Sequence, residues 1–399
     1  MELVRNSRFS LLILTVTGSL SLNGCLSAKR ADAAASGSLP LKAVRTPLAS
    51  TFSLNGAQTL EPNDPAYSGM GSISPSSASG YQFDVFAALN GPSAWYHQTD
   101  CTELRIGVVD SGVDTSHPDL VGNLDNLGTV GAPVYGRNFL NSTSNIMDDN
   151  GHGTHVVGLM AAVGNNAQGS TGVCWTAHVI VAKVTDSSGS AFLSDVVDGL
   201  EWVIDQDARV VNISMGTYVA GTSSSENQQF EDSFAGVIAK AEAKDTIIVA
   251  AAGNSGADAD TNRTYPANLR SERIVAVASN AEGFGAYESL LASSNYGGHM
   301  VHLSAPGYDL LSTGRVSGAS TYVFKTGTSM ASPMVAGTLA LMWNKVGVSN
   351  IDGGRLVNLL LDYSEPQSTG TLGQPGKYLM TGAKLDMGRA LDAATNYVP

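Results

Sequence analysis

Five short, mainly apolar runs, 104–109, 179–184, 210–213, 246–252 and 273–278, recur along the chain with amphipathic stretches between them. Runs of this length without polar alternation suit strands buried on both faces. In one intervening stretch Phe192, Leu193, Val196, Val197, Leu200, Val203 and Ile204 recur at helical spacing, and in another Phe230, Phe234, Val237, Ile238 and Ala241 do so. Buried strands alternating with one-faced helices predict an α/β fold with a mostly parallel central sheet and helices on both faces. Chemistry in such folds collects at the carboxyl ends of the strands. Asp110 directly follows the first run, and Asn254 follows the fourth.

Charge and cysteine content narrow the function classes. Asp and Glu outnumber Lys and Arg by 35 to 22, a net charge of -13 at pH 7, which is the wrong sign for a nucleic-acid binder. Three cysteines exclude a disulfide-dense scaffold and cannot supply the four ligands of a structural zinc site. At the N-terminus Arg5 and Arg8 precede an apolar stretch, 9–22, interrupted by Thr15, Thr17, Gly18 and Ser19. It is too short to span a bilayer comfortably and reads as a secretory signal. The following Leu22-Asn23-Gly24-Cys25 resembles the lipobox of bacterial lipoproteins, which implies cleavage before Cys25, a lipid on that residue and anchoring at the bacterial cell envelope. The alternative is an ordinary signal cut after Ala31, Asp32 and Ala33, which would leave a freely secreted protein. Loss of residues 1–24 keeps the chain acidic, so membrane contact is expected only through a lipid on Cys25. Residues 25–60 have no strong period and suit a flexible tether of roughly 30 Å reach. The character changes at the segment EPNDP, 61–65, after which no second linker or repeat occurs, so 61–399 is expected to form one domain.

Three segments carry chemistry: IGVVDSGVDTSHPDL (106–120), DDNGHGTHVVGLMAA (148–162) and GTSMASPMVAG (327–337). Asp110 sits where a strand end can bury a carboxylate against an imidazole, although alone it could be a turn aspartate. His152 opens an apolar helical stretch, where the helix dipole disfavours a charged imidazole, and Gly151 and Gly153 leave room around it. Ser329 opens another apolar helix, predicted to break near its start at Pro333, and a helix N-terminus presents free N–H groups to an anion. Taken alone, Ser329 could equally be a plain N-cap. An Asp, a His and a Ser together are the parts that turn an alcohol into a nucleophile.

With VNISMG (211–216), VAAAGNSG (249–256), YPA (265–267), SAPG (304–307) and AKLDMGRAL (383–391), these segments resemble the subtilisin-like serine proteases over nearly all of 62–398. The resemblance implies a three-layer subtilisin-like fold and a serine endopeptidase acting on proteins or peptides, monomeric and with no cofactor required for the chemistry. It makes Ser329 the nucleophile, His152 the general base and then acid, Asp110 the residue that orients His152, and Asn254 the side-chain oxyanion donor beside the Ser329 N–H. Ser214, Met215 and Gly216 would form one wall of the first specificity pocket and Ala251, Ala252 and Gly253 the other, with Thr264 at its floor. Those small, uncharged walls favour neutral or apolar side chains before the cut over Lys or Arg. His155 and His117 are expected to be structural neighbours of the site, since no HExxH accompanies them.

Family members commonly bind structural calcium, and Asp119 occupies a position that often serves as a ligand. The loop GNNAQGST, 164–171, departs from the usual calcium loop, so calcium stays open, as does any metal site. Only some 35 residues separate Cys25 from Glu61, too few for a folded inhibitory propeptide. If the strands following Cys101 and Cys174 are neighbours, as the resemblance implies, the two sulfurs lie near one sheet edge, and either a disulfide or two buried thiols would fit. Two other classes compete with the protease. A binding lipoprotein on an inactive protease fold is disfavoured because all four catalytic positions hold competent residues. An esterase is disfavoured because no G-x-S-x-G surrounds Ser329.

Overall fold

The computed structural model describes residues 20–21, 58–69, 81–129, 131–219, 224–281, 289–366 and 377–398. Cys25 and the tether as far as residue 57 lie outside the described residues, as does all of the signal segment except Leu20–Ser21. Among the described residues no helix is long and apolar enough to cross a membrane.

All five apolar runs are strands of one nine-stranded sheet. Its members are β1 (Asp100–Asp110), β2 (Gly136–Asn138), β3 (Thr176–Lys183), β4 (Ala208–Ile213), β5 (Ile247–Ala251), β6 (Ile274–Asn280), β7 (Leu303–Pro306), β8 (Glu365–Pro366) and β9 (Ala383–Lys384). They lie in the order β8-β9-β7-β6-β5-β4-β1-β3-β2. Every pair is parallel except β8–β9 at the edge.

Besides the single turn Pro65–Ser68, the α-helices among the described residues are α1 (Tyr81–Ala88), α2 (Gly91–His97), α3 (His152–Ala161), α4 (Leu193–Asp205), α5 (Ser224–Lys244), α6 (Thr328–Val346), α7 (Gly353–Tyr363) and α8 (Met387–Thr395). Successive strand residues point to opposite faces, and the core divides accordingly. Val210, Val249 and Val275 pack with α3, α6, α7 and α8, whereas Val211, Ile248 and Ala276 pack with Val196, Leu200 and Val203 of α4 and Phe234 and Val237 of α5. The result is a three-layer α/β fold. Phe192, counted above in the apolar stripe of α4, precedes that helix and is 76% exposed. The periodicity overran the helix by one residue because the turn there points its side chain to solvent.

Helix α6 runs unbroken through Pro333, correcting the break expected there. Proline cannot donate to the carbonyl four residues back, which is that of Ser329. That carbonyl accepts instead from Ser214 Oγ at 2.9 Å, so the helix continues with no acceptor left unmet. β1 and β3 are neighbours, and Cys101 and Cys174 form a disulfide with an S–S distance of 2.02 Å, which decides between the two alternatives for these sulfurs. The domain start is tied down by Leu60 N–H to Pro92 O and Ala66 N–H to Gly169 O. Leu20–Ser21 pairs antiparallel with Ser190–Ala191, the short strand that leads into α4.

Candidate active site

Four adjacent parallel strands, β5, β4, β1 and β3, end at one edge of the sheet and deliver Asn254, Ser214, Asp110 and Lys183 to that edge. Asp110 closes β1 and is fully buried. Its Oδ1 accepts from the Ser111 N–H at 2.7 Å and lies 2.8 Å from His152 Nδ1. The two side chains are 0% and 2% exposed, so the pair is shielded from water. Donation from Nδ1 to the carboxylate leaves Nε2 as the basic nitrogen of the ring.

His152 is the first residue of α3, and Asp148 holds that helix end. Asp148 Oδ1 accepts from Ser111 Oγ at 2.9 Å, Asn150 N–H at 3.0 Å and Gly151 N–H at 2.8 Å, while Oδ2 accepts from Thr154 N–H at 2.9 Å and Thr154 Oγ at 2.6 Å. Ser111 Oγ in turn accepts from Gly153 N–H. A buried carboxylate at this terminus opposes the helix dipole, so the dipole argument for a neutral His152 is weaker than the sequence suggested. Gly153 is required on steric grounds: a Cβ there would collide with the Gly112 carbonyl and press on Asp110 Oδ1 at 3.1 Å. Beside Asp110 on β3, the buried Lys183 ammonium donates to Ser111 O at 2.6 Å, Thr185 O at 3.1 Å and Asp149 at 2.6 Å.

Ser329 is the second residue of α6 and only 4% exposed. Its hydroxyl donates to Ser214 O at 2.9 Å. Ser214 is fixed by Asn212, whose Nδ2 donates to Ser214 Oγ at 3.0 Å and whose Oδ1 accepts from Ser332 Oγ at 2.7 Å. Asn254 Oδ1 accepts from the Thr328 N–H at 2.9 Å, and Thr328 Oγ accepts from Gly253 N–H at 3.1 Å. With its carbonyl committed to the residue before Ser329, the Asn254 amide has its NH₂ left to offer.

The two segments expected to line a pocket close on Thr264. A Cβ at Gly216 would come within 2.8 Å of Thr264 Cγ2, and one at Gly253 within 3.0 Å of Thr264 Oγ. Thr264 itself is buried on the strand Arg263–Tyr265, which pairs antiparallel with Thr217–Val219. Met215 packs into the core with α4 and α5, and Ala252 is fully buried, so both would present main chain to a ligand.

The rings of His155 and His117 each lie against main-chain carbonyls. His155 Nε2 lies 3.0 Å from the carbonyls of Leu310 and Val323, and burial holds its imidazole well below the usual range. His117 Nε2 lies 3.0 Å from Thr321 O, with burial again lowering its pKa. The surroundings of Asp119 do not fit a calcium cage. Its Oδ1 accepts from Asn166 Nδ2 at 3.1 Å, and its Oδ2 from Ser170 N–H at 2.7 Å and Tyr322 OH at 3.1 Å. A calcium ion needs six to eight oxygen lone pairs, whereas these neighbours offer hydrogens. Burial pushes the Asp119 carboxyl up, against the opposing pull of those donors. Among the described residues no group of three or more His, Cys, Asp or Glu side chains could hold a metal.

Asp148, Asn212 and Lys183 were not singled out from the sequence. Asn212 had a signal, as a polar side chain inside an otherwise apolar strand run. Asp148 had another, as an acid just before a helix start.

Residues 102–350 match the profile of the subtilase family. The chain is similar to a thermophilic serine proteinase of Bacillus sp. strain AK1, 34% identical over 302 residues that cover 75% of this chain and 63% of that one. It is similar also to thermitase of Thermoactinomyces vulgaris, 34% identical over 64% of this chain and 79% of that one. The chain thus spans less than two thirds of the first of these relatives and more of the second. Among solved structures, proteases from Pseudoalteromonas arctica superpose with a TM-score of 0.63 at 25% identity, covering 84% of this chain and 99% of that chain. A cold-adapted subtilisin-like serine proteinase superposes with a TM-score of 0.52 at 27% identity, covering 70% and 89%.

Proposed function

Because the chain belongs to the subtilase family, we propose that it is a serine endopeptidase with Ser329 as nucleophile, His152 as base and then acid, and Asp110 as the group that orients His152. The observation that carries this reading is the shielded 2.8 Å contact between Asp110 Oδ1 and His152 Nδ1. That contact fixes the tautomer in which Nε2 takes up a proton. The Ser329 hydroxyl turns from Ser214 O towards Nε2, its oxygen attacks the substrate carbonyl carbon, and its proton passes to His152. The oxygen of the tetrahedral intermediate is held by the Ser329 N–H and Asn254 Nδ2. Collapse breaks the peptide C–N bond as His152 protonates the departing amine, leaving an acyl-enzyme. Water, deprotonated by the same imidazole, then releases the acid and restores Ser329.

Extended main chain supplies most of the recognition in this reading. The antiparallel seating of Leu20–Ser21 on Ser190–Ala191 supports an edge that accepts an added strand. Thr264 between Gly216 and Gly253 supports a neutral or apolar side chain before the cut. The bonding around Asp119 supports a carboxylate engaged in hydrogen bonds at that position, and calcium dependence of the domain is tested by its thermal midpoint: a rise of several degrees on adding calcium would show a site. Export and a lipid on Cys25 rest on the N-terminal sequence, and Cys25→Ser is expected to abolish detergent partitioning.

The function is tested with casein and a fluorophosphonate probe. Wild-type protein should cleave casein and take the label, and Ser329→Ala should do neither. Casein cleavage unaltered by that substitution would refute the assignment.

A further inference from the structure

Asn295 is fully buried in the loop before Tyr296, far in sequence from every residue given a role above. Its side chain makes four hydrogen bonds: Oδ1 accepts from Ser255 N–H and Ala257 N–H, each at 3.0 Å, and Nδ2 donates to Ala252 O at 2.8 Å and Thr264 Oγ at 3.1 Å. That is the full capacity of a carboxamide. Its own N–H donates to Gly253 O at 2.9 Å. Asn254 is therefore bracketed, with the main chain on both of its sides held by one residue. Gly253, at φ +103°, permits the approach, since a Cβ there would lie 2.5 Å from Asn295 Nδ2.

Building on the oxyanion role proposed for Asn254, we infer that Asn295 is a positioning residue that holds the Asn254 amide where the developing oxyanion needs it. The other anchors of the turn carrying Asn254 each hold a single residue: Ala252 N–H to Val277 O, Gly253 N–H to Thr328 Oγ and Gly256 N–H to Ser293 O. Asn254 itself is half-buried and reaches α6 through the single bond to Thr328 N–H. Placement of a donor within a few tenths of an ångström decides its value in the transition state. Of the groups that could supply that placement, Asn295 alone grips residues 252, 253, 255 and 257 together among the described contacts. The bond to Thr264 extends the same frame to the candidate pocket floor, so a smaller share of the effect should fall on substrate binding.

The test is a double-mutant cycle on peptide hydrolysis with Asn254→Ala, Asn295→Ala and the pair. Asn295→Ala is expected to lower kcat roughly 10- to 100-fold, as a misplacement of about 1 Å can, with KM changed less than about threefold. In the Asn254→Ala background the same substitution should lower kcat by no more than about threefold. An equal loss of kcat in both backgrounds overturns the positioning role while leaving the oxyanion reading intact. If Asn254→Ala leaves kcat unchanged, the oxyanion reading falls and this inference falls with it. Should Asn295→Ala not fold, Asn295→Asp keeps the oxygen that accepts from Ser255 and Ala257 and removes the two N–H donors, and its cycle with Asn254→Ala is read by the same criteria.

Discussion

Ser214 and Ser329 are joined by two reciprocal hydrogen bonds, each hydroxyl donating to the other residue's carbonyl at 2.9 Å. One of the two replaces the helical bond that Pro333 cannot make to Ser329 O. Ser214→Ala should strand that buried carbonyl and cost about 1–3 kcal/mol. An Ala at 333 restores an N–H four residues on, so the cost of Ser214→Ala should shrink in a Pro333→Ala background. Urea unfolding of the four proteins, all carrying Ser329→Ala to prevent self-cleavage, measures the coupling. Equal costs with and without Pro333 would show that the two features are independent.

Asp148 gathers five donors from Ser111, Asn150, Gly151 and Thr154 around the start of α3. Its replacement by Ala should exceed an ordinary cap loss and lower stability by about 2 kcal/mol or more. The first residue of the freed helix end is His152, so turnover should fall as well, roughly 10²-fold if the ring shifts by an ångström. Stability curves with initial rates at saturating peptide separate the two effects, and a stability loss with unaltered kcat would show that Asp148 does not set the position of His152.

How much of this was legible in the sequence depended on the range of the interaction. Buried strands and one-faced helices are local, so the strand runs and α4 could be placed within a few residues, whereas the apolar period of α5 begins at Phe230, six residues into the helix. Asp110, His152 and Ser329 sit inside short segments whose residue types suggested the roles proposed for them, and of these the structure shows the Asp110–His152 contact. Pro333 misled because its missing N–H is compensated by Ser214, more than a hundred residues away in sequence. Asn295 carried no signal because its function lies in bonds to a turn some forty residues earlier, and an Asn in a loop ordinarily means only a turn. Phe192 shows the reverse error, where a correct period extended past the helix it described.

The Cys101–Cys174 bridge links residues 73 positions apart, joining β1 to the segment before β3. Closing a loop of that length restricts the unfolded chain by about 4 kcal/mol in the chain-entropy account. Cys101→Ser with Cys174→Ser should lower the unfolding free energy by a comparable amount, measured under non-reducing conditions in the Ser329→Ala background. Both cysteines are fully buried and belong to the same core cluster as Leu104 and Trp175, so part of any loss will come from packing. Reduction of the unsubstituted protein before unfolding isolates the covalent share, and reduction without effect on the midpoint would mean that the bridge is dispensable.

Asp64 couples the start of the domain to the loop 164–171, its Oδ2 accepting from Asn165 N–H at 2.7 Å and its Oδ1 from Asn166 N–H at 3.1 Å. Burial, with Asp119 nearby, pushes its carboxyl up to about 6 in spite of those bonds. The unfolded chain releases the same proton near 3.8, so between these values the folded state binds more protons than the unfolded one. The stabilisation from this carboxyl is therefore full below the lower value and is lost as pH rises through the upper one. Asp64→Asn cannot ionise and should escape that loss. Measured by denaturant unfolding in the Ser329→Ala background, the stability of Asp64→Asn relative to its parent should rise between about pH 4 and pH 7 and level off above. A difference that stays flat across this interval would mean that Asp64 is already ionised in the fold, with the backbone donors of Asn165 and Asn166 outweighing its burial.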